Sequence, residues 1–290
     1  MVSALAGHLR DEGMAVAVLS RGYGGRGKGV HVVSTGEGPL LGPLVAGDEH
    51  VLLAGELDNV AVVVGPDRVA AGRHALERLE PPPDVFVLDD GFSHLRLFRD
   101  VDLVIFPADD PFAGARLLPS GRLREPLASM RRADAALLIG ATESAARELA
   151  ETLRPFGFEG PGFASSIRPE PARLARGEPL PMGSKVLSLA AIARPERFLT
   201  TVLEQGFQVV DSLTFPDHHS YPVRSLRRIE RVWRHSGAEF VLTTTKDRVK
   251  LHGRLDLPLA ELPIRTVPEE PFWDWLHRRL RQQMAEETEA

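Results

Sequence analysis

The apolar positions of the chain alternate between two kinds of run. Residues 14–19 are apolar throughout, the pattern of a strand buried on both faces. The stretches 30–33, 59–64, 84–88, 101–106 and 134–139 read as further strands. Between them, residues 2–12 form an amphipathic pattern that ends at Gly13, residues 48–56 suit a helix, and residues 68–79 read as a helix stopped by Pro81-Pro82-Pro83. Residues 156–183 are rich in proline and glycine and read as a linker with short extended segments. A second alternation follows: strands at 185–190, 207–210 and 240–242, and helices at 195–204 and 224–235. The chain closes on an amphipathic helix over 272–284 and an acidic, frayed tail over 285–290. Strand, loop and helix in repeated order predict an α/β fold with parallel sheets. The expected division is a core domain over 1–155, the linker over 156–183, and a smaller α/β domain over 184–290.

Composition narrows the functional classes. A length of 290 residues favours two domains, and 43% hydrophobic residues are enough to build their cores. A formal charge of -5 argues against a general nucleic-acid surface. The absence of cysteine excludes disulfides and thiolate chemistry, and fits a reducing compartment. The opening residues lack the basic and apolar regions of a signal peptide, and no apolar run approaches the roughly 20 residues needed to span a bilayer. A soluble or peripheral membrane protein is expected. Trp273, Trp275 and several arginines of the last helix suit either a membrane surface or, the plainer reading, packing on the helix's own domain.

Several segments offer chemistry. Residues 85–88 run into Asp89-Asp90 at the carboxyl end of a buried strand, where a carboxylate can hold Mg²⁺ against phosphates. A strand ending in an ordinary Asp-Gly turn explains the same residues. Upstream, the glycines of 22–29 with Lys28 nearly match the P-loop spacing. Gly29 stands where the loop needs Ser or Thr, and a strand pattern follows where it needs a helix, so this segment reads as a flexible basic loop that can still touch a phosphate. Asp48 and Glu49 open a helix, as acids favoured by its dipole or as a base aimed at a substrate. Asp217-His218-His219 suggests either a metal site or a histidine partnered by a carboxylate of the first domain. Residues 243–247 read as a helix cap, and Arg116, Arg122 and Arg124 lie on a long Pro/Gly loop suited to phosphate.

Taken in order, Leu19-Ser-Arg-Gly-Tyr-Gly24, Gly47-Asp-Glu49, Leu88-Asp-Asp-Gly-Phe92 with His94, Arg116-Leu-Leu-Pro119 with Leu123-Arg-Glu-Pro126, Pro195-Glu-Arg-Phe198, Phe215-Pro-Asp-His218 and Thr245-Lys-Asp247 resemble the tetraacyldisaccharide 4'-kinases over nearly the whole chain. The resemblance implies a P-loop-kinase-like parallel-sheet domain joined by a short β linker to a second, smaller α/β domain. It implies transfer of the γ-phosphate of ATP to the 4' hydroxyl of a tetraacylated glucosamine disaccharide 1-phosphate, with Mg²⁺, in lipid A biosynthesis. The enzyme would be peripheral at the cytoplasmic face of the inner membrane of a Gram-negative bacterium. By matching motifs, Asp48 would be the base near the acceptor hydroxyl, His218 would pair with it and Glu49 would assist. Asp89 and Asp90 would organise Mg²⁺, and Arg124 with Lys28 would contact phosphate or nucleotide.

Three departures from the family pattern qualify this. The Walker A segment expected ahead of the helix at 2–12 is not in the sequence, which predicts weak Mg-ATP binding by the chain as written and a start codon assigned too late. Ser93 stands where Gln is common, and Ala191 and Ala193 stand where glycines are usual. A non-catalytic glycolipid- or nucleotide-binding relative is the second reading, and an unrelated Rossmann-like transferase the third.

Overall fold

The structure, a computed structural model, describes residues 1–174 and 177–289. The strands are β1 (Val16–Ser20), β2 (His31–Ser34), β3 (Val60–Val64), β4 (Val85–Leu88), β5 (Leu103–Pro107), β6 (Ala135–Ile139), β7 (Gly162–Pro169), β8 (Arg173–Leu174), β9 (Lys185–Ala190), β10 (Gln208–Thr214), β11 (Phe240–Thr243), β12 (Leu259–Glu261) and β13 (Ile264–Pro268). The helices are α1 (Val2–Asp11), α2 (Pro43–Ala46), α3 (Asp48–Glu56), α4 (Arg68–Arg78), α5 (Glu143–Leu153), α6 (Pro195–Glu204), α7 (Val223–Ser236), α8 (Thr245–Leu251) and α9 (Glu270–Glu289). They form two compact units that interleave in sequence. One comprises residues 1–9, 87–168 and 266–290, the other residues 10–86 and 169–265.

The first unit is built on a sheet of order β13-β7-β6-β5, in which β6 pairs parallel to both β5 and β7. Ala146, Leu149, Ala150 and Leu153 recur at helical spacing on α5 and are buried with Phe106, Met130 and Phe158. Thr142 caps this helix by accepting from the Ala145 N–H. A second cluster gathers Leu137, Phe272 and Leu276 with Leu5 and Trp275. The tryptophans of α9 thus pack within this unit, Trp275 against Phe163 of β7 and Trp273 against His8 of α1. Helix α9 continues to Glu289, so the run read as a frayed tail is helical, and Ala290 lies outside the described residues.

The stretch 156–183 differs from a linker. Its β7 pairs in register with β6, Gly162 opposite Ala136. A Cβ on Gly162 would sit 2.1 Å from the Ala146 carbonyl of α5, and one on Gly160 would sit 2.1 Å from the Asp134 carbonyl. Gly160 and Gly162 mark close backbone packing, which imitates the composition of a flexible segment.

The other unit holds two sheets. In the order β2-β3-β1-β4, the residues of β1 and β3 are all buried and pair parallel, Val16 opposite Val60. Helix α4 covers them with Ala71 and Ala75, and its first turn is held by Asp67, whose carboxylate accepts from Val69 N at 2.9 Å and Ala70 N at 3.3 Å. The second sheet has the order β10-β9-β11-β12-β8, parallel except for β8. Phe198 and Val202 of α6 and Ile229 of α7 bury into its two cores. Strand β10 runs to Thr214, past the expected end at 210, because it is paired with β9 along its length despite exposing Asp211 and Ser212.

Candidate active site

Strand β1 delivers Ser20 to its carboxyl end, where the Ser20 hydroxyl lies 2.6 Å from Nε2 of the buried His50 on α3. The glycine-rich loop that follows is not free. Arg26 N donates to the Leu44 carbonyl at 2.8 Å and Gly27 N to the Val45 carbonyl at 3.1 Å, so the loop lies backbone to backbone on the α2–α3 junction. Side chains would prevent this, since a Cβ on Gly25 would stand 2.3 Å from the Val45 carbonyl. The loop leads into β2, a strand, and Lys28 stands exposed on it. Gly25 and Gly27, among the glycines that suggested flexibility, serve close approach.

This packing fixes the start of α3. Gly47 precedes it at φ +91°, and Asp48 and Glu49 occupy its first turn, where the helix dipole favours acids. Helix α8 answers them. Its Thr244 cap accepts from Asp247 N at 3.1 Å and donates to Asp247 Oδ2 at 2.9 Å, which is the cap expected from the sequence. Asp247 is fully buried and also accepts from Ala191 N at 2.8 Å, tying the helix to the end of β9. From α8, Lys250 Nζ reaches Asp48 Oδ2 at 2.9 Å and Lys246 Nζ reaches Glu49 Oε1 at 2.9 Å. His218 sits in a left-handed backbone conformation at φ +57°, and its Nε2 lies 3.3 Å from Lys246 Nζ.

His218 and Asp48, expected to pair, each stand beside a lysine of α8. Lysines one helical turn apart take both partners, Lys250 facing Asp48 and Lys246 facing His218. His219 turns elsewhere, stacked on Phe215 at 4.7 Å with Nε2 2.8 Å from the Ser225 hydroxyl, so the neighbouring histidines are used separately. Burial alone would raise the Asp48 carboxyl. The ion pair with Lys250, the helix backbone and the charge of Lys246 outweigh it and hold the group below its ordinary value. Burial, together with Arg224 and Lys250, lowers the His219 ring.

Strand β4, in which the chain passes from one unit to the other after Phe86, runs into Asp89 and Asp90. Asp90 takes a left-handed conformation at φ +52°, and its carboxylate pairs with the Arg124 guanidinium. Arg122 of the same loop pairs with Asp110. Next to Arg124, the Glu125 carboxyl would be raised by burial, but hydrogen bonds from Ser93, Ser129 and Arg132 bring it below the usual range. Arg132 lies 2.8 Å from Glu125 and 4.5 Å above the Phe92 ring. Ser93, the departure after Asp-Asp-Gly-Phe, is thus engaged with the loop that bears Arg124.

Sequence reasoning placed Lys246 in a cap motif and passed over Lys250. The signal was present as two lysines spaced i,i+4 on a helix that starts at a strand end, the spacing that puts both on one face.

Parallel sheets with carboxylates at a strand end and a helix start, Asp90 beside Arg124, Asp48 beside Lys250 and Glu49 beside Lys246, are those of an α/β enzyme of the kind that works on phosphates. The comparison with known proteins narrows this. The chain belongs to the LpxK family, tetraacyldisaccharide-1-P 4'-kinase, whose pattern matches residues 1–281. It is similar to the tetraacyldisaccharide 4'-kinase of Syntrophus aciditrophicus, 38% identical over 94% of this chain and 77% of the relative. The enzyme of the same name from Anaeromyxobacter dehalogenans strain 2CP-C is 41% identical over 87% of this chain and 68% of the relative. A crystal structure of LpxK from Aquifex aeolicus in complex with ATP superimposes with a TM-score of 0.71 at 30% identity, covering 97% of this chain and 83% of that one. The family phosphorylates the lipid A precursor disaccharide at its 4' position.

Proposed function

We propose that the chain transfers the γ-phosphoryl group of ATP to the 4' hydroxyl of a tetraacylated glucosamine disaccharide 1-phosphate. The observation that carries the reading to residues is the Asp48 carboxylate, half-buried at a helix start and kept ionised beside Lys250. Such a group accepts the hydroxyl proton as the O–P bond forms and the bond from phosphorus to ADP breaks. A weak base suffices, because phosphoryl transfer depends on positioning and charge neutralisation more than on basicity. Glu49 and His218 flank it through Lys246. Arg124, and Lys28 from its exposed loop, are assigned to phosphate.

Asp89 and Asp90 suit a hard divalent cation, since both offer carboxylate oxygens and the Asp90 side chain is exposed. Mg²⁺ held there would neutralise charge on the phosphates of ATP. Four acyl chains keep such a substrate in a bilayer, so the enzyme works at a membrane surface, which we assign to the cytoplasmic face of the inner membrane. Among the described residues no helix is long and apolar enough to cross a membrane.

The test is transfer of labelled phosphate from ATP to the tetraacyl disaccharide. Asp48→Ala is expected to lower kcat by about 10²–10⁴-fold, the range for a lost general base, with the KM for ATP nearly unchanged. Equal loss in kcat and ATP affinity would remove Asp48 from the base role.

A further inference from the structure

Helices α1 and α9 bring two histidines together within the first unit. Nε2 of His8 lies 2.9 Å from Nε2 of His277, which is 269 residues away in sequence. Both residues are half-buried. The ring of Trp273 stacks on His8, with 3.9 Å between centroids and 20° between planes. Trp273 stands one helical turn before His277, so α9 presents both from one face. Leu5 and Leu280 pack around them on the cluster of Phe272 and Leu276. Neither histidine has a part in the phosphate transfer proposed above.

A ring nitrogen donates when it carries a proton and accepts when it is bare. Two of them at 2.9 Å hold one proton between them, so at least one lone pair is aimed into the pair. Neutral imidazole is also the commonest metal ligand among side chains. Nitrogens about 2.0–2.1 Å from one ion stand about 2.9 Å apart at a right angle and about 3.3–3.4 Å apart at the tetrahedral angle. The observed spacing suits adjacent positions on a square-planar or octahedral ion, and a small opening of the pair suits a tetrahedral one. Glu12 follows His8 by four residues, and its carboxylate oxygen lies within 4.8 Å of the His8 ligand nitrogen. That places a negative charge where a cation would be held.

We propose that His8 and His277 bind a divalent transition ion that favours imidazole, of the class of Zn²⁺ and Ni²⁺, with the Glu12 carboxylate beside His8 and water in the remaining positions. The ion takes the place of the shared proton. The ring that had donated keeps its proton on Nδ1, so both Nε2 lone pairs face the metal and neutral rings release no net proton. A bound ion joins α1 to α9 and stabilises the folded unit as it fills. Its nitrogen donors set it apart from Asp89 and Asp90, whose oxygens suit Mg²⁺.

Titration calorimetry of the full chain with zinc chloride tests the assignment, with excess Mg²⁺ present to fill carboxylate sites. The wild-type chain binds one Zn²⁺ here. His8→Ala and His277→Ala each weaken that binding by about 100-fold or more, beyond the 10–100-fold cost of a lost outer partner. His277→Gln keeps an amide that can bond to the His8 ring, which separates a lost ligand from lost packing. It weakens Zn²⁺ binding to the same extent while far-ultraviolet circular dichroism stays that of the wild type. Trp273 gives a second readout: Ni²⁺ quenches tryptophan fluorescence in the wild-type chain, Mg²⁺ does not, and His277→Gln removes the Ni²⁺ effect. In denaturant, Zn²⁺ raises the unfolding midpoint of the wild-type chain and leaves that of His277→Gln where it was. Wild-type Zn²⁺ affinity in His8→Ala or in His277→Gln overturns the proposal. So does a wild-type chain that takes up no Zn²⁺ in the presence of Mg²⁺, and the pair is then a hydrogen bond between helices and nothing more.

Discussion

Gly47→Ala tests how the active-site acids are held. Gly47 has φ +91° and ψ 148°, close to a region that glycine alone occupies readily. Holding alanine there costs about 1–3 kcal/mol in backbone strain. The added methyl would stand 2.3 Å from the Tyr23 carbonyl oxygen and 3.0 Å from His50 Nδ1. Backbone cannot yield as a flexible side-chain end does, so overpacking adds about 1–3 kcal/mol. The sum, about 2–6 kcal/mol, is centred above the about 1–3 kcal/mol that two interloop hydrogen bonds contribute together. The cheapest relief is for the loop to leave the α2–α3 junction while both units stay folded. Hydrogen exchange is the assay, because in a chain of two units a single unfolding free energy is poorly defined. The Arg26 and Gly27 amides, bonded to Leu44 and Val45, should lose protection selectively, while those of β1 and β3 keep it. Gly38→Ala is the control, with φ +95° and nothing within 4 Å of the new methyl, so it carries strain without the clash. Unchanged protection at Arg26 and Gly27 in Gly47→Ala would refute the argument.

Further outcomes follow from charge and capping. Glu261 is buried and bonded to Arg173 at 2.8 Å and Arg248 at 2.6 Å, so Glu261→Ala should destabilise by about 3 kcal/mol, the low end for a broken buried pair because both arginines reach water. Denaturant titration of the fluorescence of Trp233, which packs in the neighbouring core, measures it. Asp67→Ala removes the cap of α4 and should cost about 1 kcal/mol, read as a lower denaturant midpoint at unchanged slope. The Asp48 carboxyl is depressed in the folded state, so its contribution is complete above the unfolded carboxylate pKa and is lost as pH falls through the folded one. Acid unfolding followed by circular dichroism should therefore be less steep in Asp48→Asn.

Much of the architecture was legible because its signals are local. The apolar runs that became β1, β3, β6 and β9 and the periodicity of α4, α6 and α7 each declare themselves within a dozen residues. Helix α5 carried the same kind of signal, in Ala146, Leu149, Ala150 and Leu153, and was overlooked beside the proline at 155. The errors of interpretation concern glycine. At Gly25 and Gly162 it permits contact between backbones distant in sequence, and composition cannot separate that use from flexibility. For the active site, motif order identified Asp48, Glu49 and His218 as candidates. The partners of Asp48 and Glu49 could not be read off, because Lys250 and Lys246 meet them across about 200 residues of chain, through the packing of α3 on α8.

The interleaving of the two units has a consequence for synthesis on the ribosome. The chain passes from one unit to the other after residues 9, 86, 168 and 265. Nascent domains usually fold in order as they emerge. Here the unit that holds Asp48 cannot close until residue 265 is out, and the unit that opens the chain waits for its final helix. Strands β1, β3 and β4, among the most apolar segments, must persist without their full complement for most of elongation. A gene cut at any point between residues 10 and 265 would leave both units incomplete, and chaperone demand should fall steeply only once translation reaches α9.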